Sequence, residues 1–323
     1  MTGYAWQMGD VKLGVLLWSQ ATDWPSFEAS ARRVDELGYD HLWTWDHLYA
    51  IFGDPYQPIF EGWMTLAAWA KVTSRTRLGL LVGANTFRNP GLVAKLAATL
   101  DHLSDGRAIL GLGGAWMEPE HREHGIEFGS GHGQRLDWLE EAVAAARALL
   151  DGETVTSPAD GHYAFSGLRH HPLPLQRRLP IMIGGSGEKK TLRTVARHAD
   201  MWNGMGSIET IRHKTEVLRR HCEEAGRDPA EIEWTLGCKP LIRSTESEAR
   251  RVFEAQMAHN RTPLGDVESD ATFWYGTPEQ LAERMVAYRD LGFHTFIGEL
   301  PAPFDPETIE RWIGEVRAMV ERA

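Results

Sequence analysis

Residues 180–203 read PIMIGGSGEKKTLRTVARHADMWN. A short apolar run ends abruptly in Gly-Gly-Ser-Gly, a stretch with helical spacing follows, and MWNG (201–204) opens the next strand-like run. Strand, glycine turn, helix and strand in that order make one crossover unit of a parallel sheet. The turn also raises a chemical question. Amide protons left free at a helix start point back over the strand end, where a phosphate could meet them, the hydroxyl of Ser186 and the ammonium of Lys189 or Lys190. Gly184, Gly185, Ser186 and Gly187 are equally readable as a tight turn and nothing more.

Working outward, the same unit recurs. Strand-like runs fall at KLGVLL (12–17), YDHLWTW (39–45), RLGLLV (77–82), RAILGL (107–112), PIMIGG (180–185), MWNG (201–204), EWTLGCK (233–239) and HTFIGE (294–299). Between them lie amphipathic stretches such as SFEASARRVDELG and QRLDWLEEAVAAARALLDG, each stopped by glycine. Eight strand–helix units predict an α/β fold, a (β/α)8 TIM barrel forming a single domain over residues 1–323. Two segments exceed the bare repeat. Residues 151–179, rich in Pro, Gly and His, predict a small hairpin and a long loop, and 242–278 predict a helix followed by an irregular connection. Both are expected as insertions at the strand-exit, C-terminal face, where long loops close over ligands.

The 323 residues are 42% hydrophobic and 24% charged, an ordinary globular composition, with a net charge of −11 that argues against a nucleic-acid partner. The opening MTGYAWQMGDVKLGVLLWSQ has no long apolar run, which predicts neither signal peptide nor membrane helix and a cytoplasmic address. Cys222 and Cys238 lack metal-ligand spacing and make no disulfide framework. The partner expected is therefore a small-molecule substrate, with room for a homodimer.

In a barrel of this kind chemistry sits just after the strands. WTWDHLYAIFGD brings Trp45, Asp46, His47 and Tyr49 to the rim, and a histidine beside a carboxylate can relay a proton near neutral pH. The plainer reading is a capped turn and a loop hydrogen bond. LLVGANTFRNPGLVAK adds Phe87 and Arg88. GLGGAWMEPE carries Gly111, Gly113, Gly114, Ala115 and Trp116, but Trp116 takes the place of the last glycine of a dinucleotide fingerprint, which argues against a Rossmann site. Those glycines could still let backbone lie against a planar ring. EPEHREHG (118–125) fails the zinc-protease patterns and reads as a solvated helix face, so no metal is expected, and no Gly-x-Ser-x-Gly elbow supports hydrolysis.

From about residue 11 to residue 320 the chain resembles the bacterial luciferase-like monooxygenase superfamily, and is most similar to its branch of oxidoreductases that use coenzyme F420, a deazaflavin. The resemblance is carried by DELGYDHLWTWDH (35–47), RLGLLVGANTFRNPGLVAKLAATLDHLSDGRAILGLGGAW (77–116), IMIGGSGEKKTLRTVARHADMWN (181–203) and YGTPEQLAERMVAYRDLGF (275–293), in that order and spacing. It implies the same barrel and a set of roles. Asp46 and His47 would lie beside the reactive face of the ring, with His47 as proton partner. Leu81-Val82 corresponds to a bulge where relatives often have a non-prolyl cis peptide behind the ring. Gly114, Ala115 and Trp116 would line the ring and its polyol chain, and Gly184 to Gly187, with Lys189, would receive the phosphate.

The reaction implied is hydride transfer between coenzyme F420 and a small alcohol, carbonyl compound or activated alkene. Trp45, Tyr49 and Phe87 are candidates for an apolar substrate pocket. Relatives that oxidise phosphorylated sugars carry an acidic residue where Trp116 stands, which argues against that substrate. The alternatives are a reduced-FMN monooxygenase of the same superfamily and a barrel that binds a cofactor without turning over.

Overall fold

The structure, a computed structural model, describes residues 11–323, so the reading of the first ten residues as free of a targeting segment lies outside the described residues. Eight parallel strands close into a barrel: β1 (Lys12–Leu17), β2 (His41–Thr44), β3 (Arg77–Leu80), β5 (Ala108–Gly113), β6 (Ile181–Gly184), β7 (Met201–Gly204), β8 (Glu233–Ile242) and β10 (Thr295–Leu300), with β10 pairing both β1 and β8. Two short strands complete the sheet. β4 (Gly83–Ala84) continues the line of β3 and pairs with the end of β5, and β9 (Phe273–Gly276) pairs with the outer half of β8.

Helices α1 (Trp24–Leu37), α2 (Gly62–Val72), α3 (Pro90–Leu103), α4 (Glu118–Glu123), α5 (His132–Leu150), α6 (Thr191–His198), α7 (Ile208–Glu224), α8 (Glu246–His259) and α9 (Pro278–Arg289) connect the strands. Local chemistry sets their ends. Asp23 accepts the Ser26 amide ahead of α1, Gly38 closes that helix at φ 84°, and Thr277 with Gln280 forms a reciprocal capping box ahead of α9.

Alternation along the strands divides the apolar residues into two sets. One packs the barrel wall against the helices, through residues such as Leu13, Leu42, Leu78, Leu110, Ile183 and Phe296. The other fills the barrel interior with Leu16, Trp18, Trp43, Ile109, Met182, Met201 and Ile297, and runs on into Ala249, Phe253 and Met257 of α8. The interior strand ends at the N-terminal side are polar: His41, Glu233 and Thr295 are joined there by Lys12, whose Nζ lies 3.1 Å from Glu233.

Several boundaries differ from the sequence reading. The third strand stops at Leu80, because the Leu81–Val82 peptide is cis and turns the chain before β4 resumes pairing. Helix α6 begins at Thr191, and Glu188 to Lys190 form a turn ahead of it. The 151–179 segment follows a helix, not a strand, so it leaves from the barrel end opposite the rim. It climbs the outside of the barrel with one antiparallel bridge, Val155 to Leu168, and reaches Asn85 O through the Tyr163 hydroxyl at 3.1 Å. The 242–278 segment does follow a strand, and its α8 packs on the interior cluster at the rim; β9 within it was not foreseen. No helix among the described residues is long and apolar enough to cross a membrane.

Candidate active site

The C-terminal end of the barrel holds a cavity of about 380 Å³. Strand ends and the loops after them build its wall: Trp45, Asp46 and His47 after β2, Leu81 to Ala84 around the cis peptide, Gly113 to Trp116 after β5, Gly184 and Gly185 after β6, Asn203 and Met205 at β7, Lys239 on β8 and Glu299 on β10. The Asp-His pair and the glycine turn of residues 184–187 thus meet at one rim. Ile51 and Phe52 close one side; Gln20 holds their amides at 3.0 and 3.2 Å and reaches Asn260 beyond α8 at 3.2 Å.

His47 is gripped from behind. Its Nδ1 is 3.0 Å from Oε1 of Glu120, whose other oxygen accepts the Leu48 amide at 2.9 Å. Glu120 is 1% exposed, so this carboxylate lies on the buried face of α4. With Nδ1–H donated to a carboxylate, Nε2 carries the lone pair left for a ligand. Trp116 stands edge-on to the imidazole at 5.5 Å and is 61% exposed, at the mouth of the cavity.

The stretch EPEHREHG is therefore solvated only in part: Glu118, Pro119 and Arg122 to Gly125 are exposed, whereas Glu120 and His121 face inward. Besides Glu120, His121 is fully buried, with Nε2 at 2.7 Å from Thr86 Oγ1 and Nδ1 at 2.8 Å from Met117 O, and burial pushes its pKa down. Sequence reasoning missed Glu120 because spacing alone does not say which side of so short a helix faces inward.

Asp46 has a different task from His47. Both its oxygens take Arg88 Nη1, at 3.0 and 2.8 Å, and Oδ2 also accepts the Ala84 amide at 3.0 Å. Burial raises its carboxyl pKa, and the guanidinium of Arg88 opposes that rise while bridging to Glu61 at 2.7 Å. With its lone pairs spent on Arg88 and Ala84, Asp46 fixes the backbone just past the cis Leu81–Val82 bond.

The glycines of GLGG make room for that same bulge. A Cβ at Gly111 would run into the Leu80 carbonyl oxygen, and Cβ atoms at Gly113 and Gly184 would come within 2.5 and 2.9 Å of the Val82 methyls. Val82 therefore lies across a bed of two glycines. Ala115, which continues the bed, has φ 53°.

The glycine turn runs outward from this bed. Gly185 donates its amide to Asn203 O at 3.2 Å and accepts the Trp202 indole N–H at 2.9 Å. Ser186 and Gly187 follow, beyond the cavity lining, and Lys189 is exposed beside them, whereas Lys190 is tied to Asp137 at 2.7 Å. Tyr49 and Phe87 do not line the cavity. Tyr49 meets Tyr56 edge-on and His124 at a tilt at the outer rim, and Phe87 packs on His121 of α4 at 4.8 Å.

A closed parallel barrel with this rim is a common frame for redox enzymes, and the sequence places the chain within it. Residues 11–295 match the luciferase-like monooxygenase family, and the chain belongs to it. Among curated relatives, an uncharacterised protein of Mycobacterium tuberculosis is 33% identical over 58% of this chain and 65% of its own length. The phthiodiolone/phenolphthiodiolone dimycocerosates ketoreductase of the same organism is 30% identical over 61% of this chain and 55% of its own length. The matches thus span less than two thirds of either relative. Among solved structures, an F420-dependent secondary alcohol dehydrogenase in complex with an F420-acetone adduct superposes with a TM-score of 0.81 at 19% identity, over 96% of this chain and 99% of that one. A monooxygenase from Streptomyces bottropensis gives 0.79 at 20% identity, over 96% and 98%. At such identities the two superpositions speak to the fold.

Proposed function

We propose that this luciferase-like protein is a coenzyme F420-dependent oxidoreductase that moves a hydride between the deazaflavin and a small alcohol or carbonyl compound. The observation that carries the reading is the His47–Glu120 pair, lining a cavity whose neighbouring wall is the Val82 bulge on its glycine bed. That bed suits a flat ring: around Val82 its wall is glycine and backbone, over which a planar group can lie. Beyond it, no backbone amide from Ser186 to Lys189 donates to a protein acceptor among the described residues, which suits an anionic tail. Leu81, Val82, Gly114, Ala115, Gly184 and Gly185 would hold the ring, and Ser186, Gly187 and Lys189 the phosphate.

When bound, the deazaflavin supplies a carbon that accepts or releases a hydride. His47 supplies the accompanying proton change at Nε2: it takes the proton from an alcohol being oxidised and returns one to a carbonyl being reduced. Glu120 orients the ring through Nδ1, which leaves Nε2 to face the substrate. Trp45 and Trp116 narrow the space around His47 and limit water.

The second reading, a reduced-FMN monooxygenase, draws on the family description and on the monooxygenase among the structural neighbours. Titration separates the two. Quenching of deazaflavin fluorescence at low micromolar protein, with ketone reduction in its reduced form, supports the first; a preference for reduced FMN with oxygen uptake overturns it.

A further inference from the structure

The cavity wall divides into two arcs. From β3 through β6 it is mostly glycine and backbone around Val82, with Leu81 and Trp116 at its edges, and the proposed ring takes that side. The remaining arc, from β7 round to β2, carries Asn203, Lys239, Glu299, Trp45 and His47. Strand alternation puts Ile297 into the interior cluster, so Glu299 two residues on occupies the inward position nearest the rim. A carboxyl there is unusual, because neighbouring inward positions hold Leu16, Trp18 and Trp45.

Glu299 is 7% exposed, and among the described residues no hydrogen bond of ordinary geometry reaches its carboxyl. The indole N–H of Trp18, 0% exposed, is close enough to favour its charge and has no other partner among the described residues. Burial raises the Glu299 carboxyl pKa, which favours the protonated acid. Lys239 stands on the adjacent strand, held by Thr272 Oγ1 at 2.7 Å and Asp270 Oδ2 at 3.4 Å over the Phe273 ring. A buried carboxyl and a buried ammonium lining one cavity are costly unless polar partners complete them.

We propose that Glu299 and Lys239 form a polar subsite that binds a neutral carbonyl or hydroxyl oxygen of the substrate, and so select small molecules with an oxygen function on an apolar frame. Asp270 already balances the lysine, so the arc has little net charge to offer an anion. What it presents is the Lys239 ammonium, with an N–H beyond its two protein partners, beside a carboxyl that can donate once it holds a proton, and these call for an oxygen lone pair. Trp45, Ile51 and Phe52 supply the apolar surroundings. The substrate class rests on the oxidoreductase reading, but the subsite itself can be tested without turnover.

The test uses cyclohexanone, methylcyclohexane and cyclohexanecarboxylate as probes, with affinities from saturation-transfer NMR on the cofactor-free protein. The wild type should bind cyclohexanone at least tenfold more tightly than the other two, and Glu299→Leu should lose that preference while deazaflavin affinity stays within about threefold. Should Glu299→Leu not fold, difference infrared spectra of the wild type, with the band assigned through Glu299→Gln, serve instead: cyclohexanone should shift the protonated-carboxyl band. An unaltered band, a preference kept by Glu299→Leu, or tighter binding of the carboxylate overturns the subsite. If the ketone preference holds but deazaflavin does not bind, the subsite stands and the cofactor reading falls.

Discussion

Glu120 holds His47 by two routes at once, through Nδ1 at 3.0 Å and through the amide of the next residue, Leu48, at 2.9 Å. One carboxylate thereby fixes both the imidazole orientation and the loop that carries it, which makes α4 part of the site although it lies more than seventy residues from β2. Glu120→Ala should lower kcat by about tenfold to a hundredfold, because the ring loses its tautomer and its charge partner. His47→Ala should cost more, about a hundredfold or beyond, and both should leave deazaflavin affinity within a few-fold of wild type. Steady-state kinetics beside fluorescence titration checks this, and full turnover by the alanine variant at residue 47 would remove the imidazole from the mechanism.

Asp46 is next to His47 in sequence but opposite in role. Its carboxylate sits on Arg88 and the Ala84 amide, so Asp46→Asn removes one partner of a buried ion pair and leaves the guanidinium to Glu61 alone. Breaking such a pair costs about 3–5 kcal/mol, and the surviving Glu61 contact sets the expected loss at the lower end, about 3 kcal/mol. Urea denaturation measures it. A loss of activity without loss of stability would instead put Asp46 in direct contact with the reacting groups.

The barrel was legible in the sequence because each strand–helix unit is punctuated by glycine and each strand is short and apolar. The rim was legible only where a residue follows a strand directly, as Asp46, His47 and Gly184 do. Glu120 was not, since it reaches His47 across space from a six-residue helix with no dominant face. Lys239 and Glu299 could have been found: in EWTLGCK and HTFIGE they fall on the same alternation phase as Thr235 and Ile297, and a charged residue on the inward phase at the exit end of a barrel strand needs a reason. The GLGG glycines were read against a ligand, whereas in part they serve the protein's own bulge at Leu80–Val82.

That bulge gives a test by double substitution. A Cβ at Gly113 would come within 2.5 Å of the Val82 side chain, so Gly113→Ala must push Val82 into the cavity. Deazaflavin affinity should fall about tenfold, and overpacking should cost about 1–3 kcal/mol of stability. Adding Val82→Ala removes the methyls that clash, and the pair should recover most of the loss, a coupling that independent sites would not show. Equal affinity in the wild type and the single variant would mean that the ring lies elsewhere.

The far end of the barrel predicts how the fold responds to acid. His41 is 1% exposed on the first inward position of β2, its Nδ1 has no hydrogen-bond partner among the described residues, and burial pushes its pKa down to about 3, with Arg77 and Lys12 acting in the same direction against Glu233. In the unfolded chain the same imidazole titrates near its ordinary value of about 6.5. Between those values the unfolded chain binds a proton that the folded chain refuses, so stability is fully present above about pH 6.5 and is lost as pH falls toward 3, by up to about 1.4 kcal/mol per pH unit. The Glu233 carboxyl, held below its usual value despite burial by His41, Lys12 and Thr295, adds a loss in the same direction only at lower pH. His41→Leu removes the titrating group while keeping an apolar volume against Trp43. Denaturation midpoints for the two proteins should therefore converge in slope above pH 7 and diverge between pH 6.5 and about 4.5, the variant showing the flatter profile. Parallel profiles across that interval would show that another group governs the acid limb.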